Sequence, residues 1–318
     1  MRWGENIVRN TGDQRLAYGK TLVELAENDT RIVVLDADLR KSTMTYFFQQ
    51  AYPEKHFEMG IAEQNMMSFA AGLSLTGKVV FANSFAVFAC GRAFDQIRQS
   101  ICTANLNVKI VGSSAGLSDF GDGATHQALE DIAIMRALPN MTVLVPMDSV
   151  ETRKIVKAAA EYDGPVYIRI NRNEGPDLFP EEEEFVIGKP YVIKDGTDIV
   201  IFACGVMVAK AVNAAERLEK DGISAKVVNV SSLKPIDEES IKALVKNAKG
   251  IITAEEHSVI GGLASAITFI LRGTSIPIES VAVSDSFGQS ACSYEELLKQ
   301  YNLTEENIIC KARKVIKN

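Results

Sequence analysis

Short apolar runs alternate with longer amphipathic stretches along most of this chain, and that alternation restricts its fold more than any other feature. Ile32-Val33-Val34-Leu35, Val79-Val80-Phe81, Asn107 to Val111, Thr142-Val143-Leu144-Val145 and Val166-Tyr167-Ile168-Arg169-Ile170 have the length and β-branched content of buried strands. Ser84 to Phe88 forms a further apolar stretch, followed by a helical segment from Arg92 to Arg98. Between the strands, Asp13 to Glu27, Ala62 to Gly77, Ala128 to Leu138 and Val150 to Ala160 repeat their apolar residues at helical spacing. Strands joined through helices pair in parallel, with the helices covering both faces of the sheet. The expected fold class is α/β, doubly wound and mostly parallel.

The pattern breaks once. Asn173 through Pro190 contains Gly175-Pro176 and the consecutive glutamates Glu181 to Glu184, the composition of a linker. A second alternation follows, with Ile199 to Phe202, Ala225 to Val230 and Ile251 to Ala254 as its first strands. The expectation is a first domain over residues 1–172, a linker over 173–190 and a smaller domain of the same class over 191–318. A length of 318 residues is natural for two domains.

The net charge of -7 with no basic stripe argues against a nucleic-acid partner, because binding phosphates requires clustered Lys and Arg. No apolar run approaches the length of a membrane span, and Met1 to Asn6 shows no apolar leader core. Five scattered cysteines without a C-x-x-C pair suggest neither a disulfide framework nor a zinc site. A reduced cytoplasm is the expected location.

Four features carry candidate chemistry. Glu63 shares the apolar face of its helix with Met66, Met67 and Ala70, so its carboxylate points into a dry seam and needs a partner. That partner is either a first-turn backbone amide or a ligand nitrogen sharing a proton. Asp36-Ala37-Asp38 closes a central strand, either as ordinary loop polarity or as a ligand contact at the edge where open α/β sheets bind. Phe85 and Phe88 stand three apart and share a face if locally helical, as core or as a ring-binding pair. His126 lies in the polar loop Gly112 to Gln127, where an imidazole either caps the next helix or exchanges protons with a ligand.

Gly60-Ile61-Ala62-Glu63-Gln64-Asn65-Met66, followed by Ala70-Ala71-Gly72, resembles the thiamine-diphosphate pyrimidine-binding motif of transketolases, and Asp122-Gly123-Ala124-Thr125-His126-Gln127 resembles their substrate segment. The resemblance spans nearly the whole chain, as a pyrimidine-binding plus a C-terminal domain. It implies that Glu63 contacts the aminopyrimidine N1′ and promotes its imino tautomer, that Phe85 and Phe88 flank the ring, and that Asp38 borders the cofactor. It further implies a catalytic role for His126, phosphate contacts from Arg15, Ser42 and Arg172, and recognition of donor hydroxyls by Asp122. One position departs from the pattern: Ser114 stands where many transketolases carry a substrate histidine.

Gly121-Asp122-Gly123 also resembles the metal and pyrophosphate motif of thiamine enzymes. The asparagine that follows that motif is missing, since Val150 to Ala160 contains none. No metal ligand is therefore assigned to this chain, and Mg2+ (or Ca2+) is expected on a partner. The resemblance implies the second subunit of a split transketolase, moving a two-carbon ketol unit between sugar phosphates. Its expected partners are an amino-terminal, pyrophosphate-binding subunit and further copies of itself, as a dimer of heterodimers. Competing readings are a deoxyxylulose-phosphate synthase, a 2-oxoacid dehydrogenase β subunit and a non-catalytic assembly subunit. The segment Asp122 to Gln127 weighs against the dehydrogenase and Glu63 to Met66 against the synthase. Intact Glu63, His126 and Arg172 weigh against a scaffold.

Overall fold

The computed structural model describes residues 10–317. In chain order its strands are β1 (Thr11–Gly12), β2 (Ile32–Asp36), β3 (His56–Glu58), β4 (Val79–Phe85), β5 (Val108–Ser113), β6 (Thr142–Leu144) and β7 (Val166–Arg169). They continue as β8 (Gly175–Pro176), β9 (Tyr191–Lys194), β10 (Ile199–Ala203), β11 (Ala225–Asn229), β12 (Ser232–Lys234), β13 (Gly250–Ser258) and β14 (Ile278–Val283). Seven of them form one sheet in the order β12-β6-β7-β5-β4-β2-β3, and five form a second in the order β14-β13-β10-β11-β9. Only the β12–β6 and β11–β9 pairs within these two sheets are antiparallel. The chain is α/β with two mostly parallel sheets. Helices on both faces leave β2, β4 and β5 buried along their whole lengths, which is why those segments read as continuous apolar runs.

The structure redraws several boundaries. Val79 to Phe81 does not end before Ser84; β4 runs unbroken to Phe85. Asn83 is tolerated inside it because its amide donates to the Leu35 and Phe81 carbonyls and its oxygen accepts from Tyr18. The helix expected from Arg92 is replaced by two π-turns, Val87–Arg92 and Ile97–Cys102, around Phe94–Gln96. An extra residue per turn falls outside a search for a 3.6-residue period. Ala128, expected to open a helix, instead bridges Gly116, and the helix runs from Asp131 to Ala137.

Between the two sheets, buried polar groups are set into continuous apolar packing. Strand β12 belongs to the second half of the chain but extends the first sheet, pairing Ser232 with Leu144 and Lys234 with Val143. Nearby, Asp148 caps helix Ser149–Glu161 by accepting the Glu151 amide at 2.8 Å, and it also accepts the amides of Leu178 and Phe179. Glu151 is fully buried and takes the Met147 amide at 2.7 Å and the Asn229 side chain at 2.8 Å. Burial pushes its carboxyl up to about 8 from an ordinary 4.5.

The folded chain therefore holds one more proton than the unfolded chain between those two values. Stability from this group is fully present below about pH 4.5 and falls as pH rises toward 8, by at most about 1.4 kcal/mol per unit. Glu151→Gln removes that titration, so its melting temperature should be flatter with pH than that of the wild type. Melts at pH 5, 6.5 and 8 test this; parallel curves would contradict the assignment.

Candidate functional site

Gly60, at φ +67, turns the chain into helix Glu63–Ser74, whose inner face seats Met66, Met67 and Ala70 with no exposure. Glu63 lies on that face and is 1% exposed. Its carboxylate is held by Arg92 Nη1 at 2.8 Å and, more weakly, by Ser84 Oγ at 3.5 Å. Both partners are side chains, so the amide-capping alternative is not the arrangement found.

Arg92 closes the first π-turn and lays its guanidinium over Phe88, 4.6 Å from the ring centre. Phe85 and Phe88 do pair, with centroids 6.2 Å apart and planes within 18°. They share a face because β4 runs into a π-turn and not because both lie on one regular helix. His126 meets each ring edge-on, 6.3 Å from Phe85 and 5.2 Å from Phe88. Glu63, Phe85, Phe88 and His126 thus converge, and Arg92 and Ser84 join them.

The remaining candidates form neighbouring groups. Arg15 donates to the Ser42 carbonyl at 3.2 Å and pairs with Asp13, and its Nε is buried without a partner. Asp38 to Ser42 line a cleft of about 240 Å³. That turn is shaped by buried Asp36, which accepts the Leu39 amide and the Thr43 and Thr45 hydroxyls, while Asp38 adopts φ +63. Desolvation raises the Asp36 carboxyl to about 6. Arg172 pairs with buried Asp119 at 2.5 Å. Asp122 leads exposed into the turn Gly123–Thr125. Ser114 is buried at φ +52, and its hydroxyl and that of Ser113 lack partners.

The loop bearing Ser114, Asp119, Asp122 and His126 is clamped by the second half of the chain. Glu256, fully buried on β13, accepts the Leu117 amide at 2.7 Å and the Asn171 side chain at 3.3 Å, and hydrogen-bonds the Tyr294 hydroxyl. A Cβ on Gly116 would lie 2.5 Å from the Glu256 carboxyl carbon, so the approach requires glycine there. Gln127 donates to the Asp119 and Gln289 carbonyls, and the Ala291 amide donates to Phe120. Burial lifts the Glu256 carboxyl to about 7.

Sequence reading missed Arg92, Asp119 and Glu256. Arg92 is hidden by the π-turn. Glu256 had a usable signal: Glu255-Glu256-His257 puts three titratable groups at the end of an apolar strand.

The family model described as "Transketolase, pyrimidine binding domain" matches residues 11–177, and "Transketolase, C-terminal domain" matches 188–308. The chain belongs to the transketolase family. A putative transketolase C-terminal section from Methanocaldococcus jannaschii is 46% identical over 92% of this chain and 93% of its own length. A 6-deoxy-6-sulfo-D-fructose transketolase subunit from Clostridium sp. (strain MSTE9) is 41% identical over 95% of this chain and 94% of its own. A solved structure described as "Split gene transketolase, inactive beta4 tetramer" is 50% identical and superposes with a TM-score of 0.89, covering 96% of this chain and 99% of that one.

In this transketolase-family chain the clamp on the loop is measurable. Glu256→Ala leaves the Leu117 amide buried and unpaired, a loss of about 1–3 kcal/mol. Hydrogen exchange at Leu117 and its neighbours should rise roughly tenfold or more, and less in Glu256→Gln, which keeps one carbonyl acceptor. Unchanged protection across the loop would show that Glu256 does not hold it.

Proposed function

We propose that this chain is the pyrimidine-binding subunit of a split, thiamine-diphosphate-dependent transketolase that transfers a two-carbon ketol unit between sugar phosphates or related anionic sugars. The observation that carries this is the buried Glu63 carboxylate set beside the stacked Phe85–Phe88 pair, with His126 edge-on to both. A flat heterocycle with a ring nitrogen and an exocyclic amine fits such a seat, because the carboxylate serves its polar edge and the rings its face. Thiamine diphosphate, when bound, supplies the carbanion chemistry of the reaction.

Within this reading Glu63 shares a proton with N1′, Phe85 and Phe88 hold the ring plane, and Asp38 borders the cofactor. His126 exchanges protons at the hydroxyl and carbonyl oxygens of the donor sugar. Arg15, Ser42 and Arg172 receive the anionic end of the substrate, for which a planar guanidinium suits phosphate. Asp122 reads hydroxyls. Ser114 cannot act as a cationic donor, which places more of that work on His126 and leaves room for donors substituted or branched near their reacting end. A relative named for a sulfonated ketose supports a substrate range wider than ordinary sugar phosphates.

An amino-terminal subunit would hold the pyrophosphate and its Mg2+ (or Ca2+). Relatives described as C-terminal sections or subunits support that division, and a similar chain described as an inactive tetramer supports self-association into a dimer of heterodimers. No helix among the described residues is long and apolar enough to cross a membrane, and the proposed setting is the cytoplasm.

The test is reconstitution. The purified chain should turn over nothing alone and should transfer ketol units when mixed with a pyrophosphate-domain subunit; full activity of the isolated chain would end the split-enzyme reading. In the mixture, Glu63→Gln should lower kcat by about 10²–10⁴-fold, the range of a lost acid/base step. Arg172→Ala should raise KM for a phosphorylated donor by roughly 10–100-fold, the loss of a charge-assisted contact, and change an unphosphorylated donor much less. Equal losses on both donors would place Arg172 outside the anion site.

A further inference from the structure

Arg92 has no part in the chemistry set out above, yet it reaches from the rim onto both Glu63 and Phe88. Its Nη1 lies 2.8 Å from Glu63 Oε2, and its guanidinium carbon lies 4.6 Å from the Phe88 ring centre. A guanidinium is flat, presents N–H donors along an edge and stacks on aromatic faces. An aminopyrimidine is likewise flat and stacks on aromatic faces, and its N1′ presents a matching N–H once it carries the proton shared with Glu63. Accepting the thiamine reading of the site, we propose that Arg92 is an internal stand-in for the cofactor's aminopyrimidine, seated on Glu63 and Phe88 in the cofactor-free chain and displaced when the ring binds.

The physical need for a stand-in follows from burial. The Glu63 side chain is 2% exposed, and a carboxylate so far from water is costly unless paired. Its other partner, Ser84 Oγ at 3.5 Å, is at the limit of a hydrogen bond. Arg92 supplies the missing charge from the rim, where its own side chain is 45% exposed and can return to water with little desolvation to undo.

The backbone permits the exchange. Arg92 ends a π-turn, a conformation concentrated at functional sites, and a Cβ built on the preceding Gly91 meets nothing within 4 Å, so the surface beside Arg92 is open. Loading then becomes a competition in which the carboxylate releases a planar cation and takes up the ring together with one proton from solvent, held between Glu63 and N1′. A seat blocked about nine-tenths of the time lowers apparent affinity about tenfold.

The experiment uses the full chain and 4-amino-5-hydroxymethyl-2-methylpyrimidine, the cofactor's ring without its thiazolium or diphosphate, with affinity read by ligand-observed NMR. Arg92→Ala should bind this probe about tenfold more tightly than wild type, and Arg92→Lys, which keeps the charge but not the plane, should fall between. The Arg92 guanidinium resonance of the wild type should shift as probe is added. Should Arg92→Ala fail to fold, Arg92→Gln carries the same comparison. If Arg92→Ala binds the probe no better than wild type while Glu63→Gln binds it worse, Arg92 is a fixed wall, and the stand-in is wrong although the pyrimidine seat is real. If the probe binds neither wild type nor any Arg92 variant, the thiamine reading fails and the stand-in falls with it.

Discussion

A carboxylate taken out of water must find donors, and in this chain the donors that buried carboxylates find set the shape of the loops around the candidate site. Glu256 reaches from the second sheet to the Leu117 amide and the Asn171 side chain, fixing the two segments that carry His126 and Arg172. Asp36 shapes the turn of Asp38 to Ser42, Asp148 ties the start of helix Ser149–Glu161 to Leu178 and Phe179, and Glu63 draws in Arg92. Each of these side chains is nearly or wholly buried. The arrangements around Glu256, Asp36 and Asp148 are accordingly stiff, because loosening them would strand a charge or a polar hydrogen in a medium of low dielectric, whereas half-exposed Arg92 can leave Glu63 once another partner takes the carboxylate.

Parallel pairing brings these groups to one edge. Strands β2, β4, β5 and β7 run in the same direction, so Asp36, Phe85, Ser113 and the Asn171-Arg172 segment all emerge at the carboxyl edge of one sheet. Open α/β sheets place ligands there because the loops leave the core at that edge and can carry polar residues without disturbing the packing beneath. The segment Gly288 to Ala291, which follows the last strand of the second sheet, packs against the loop that begins at Ser113, and this gives the C-terminal half a direct mechanical role at the candidate site.

Much of this was legible in order along the chain. The strand and helix alternation follows from burial on both faces of a parallel sheet. A charge at a core position of its helix drew attention to Glu63, but only the resemblance of their segments to transketolase motifs singled out Glu63, Phe85, Phe88 and His126 as site candidates. The π-turns were not legible, since one added residue leaves composition unchanged and only blurs the period. Strand β12 was not legible either, as three residues of ordinary composition carry no signal for joining a sheet built from the other half of the chain.

The sequence by itself determined the fold class and the residue types available for chemistry, because periodicity and composition are local properties fixed by each segment's need to bury one side. Tertiary structure alone decided which donors satisfy which carboxylates. Arg92 stands 29 positions from Glu63, and Leu117 stands 139 from Glu256. Such pairings are chosen by which groups the packing leaves dry and within reach, and spacing along the chain does not encode that choice.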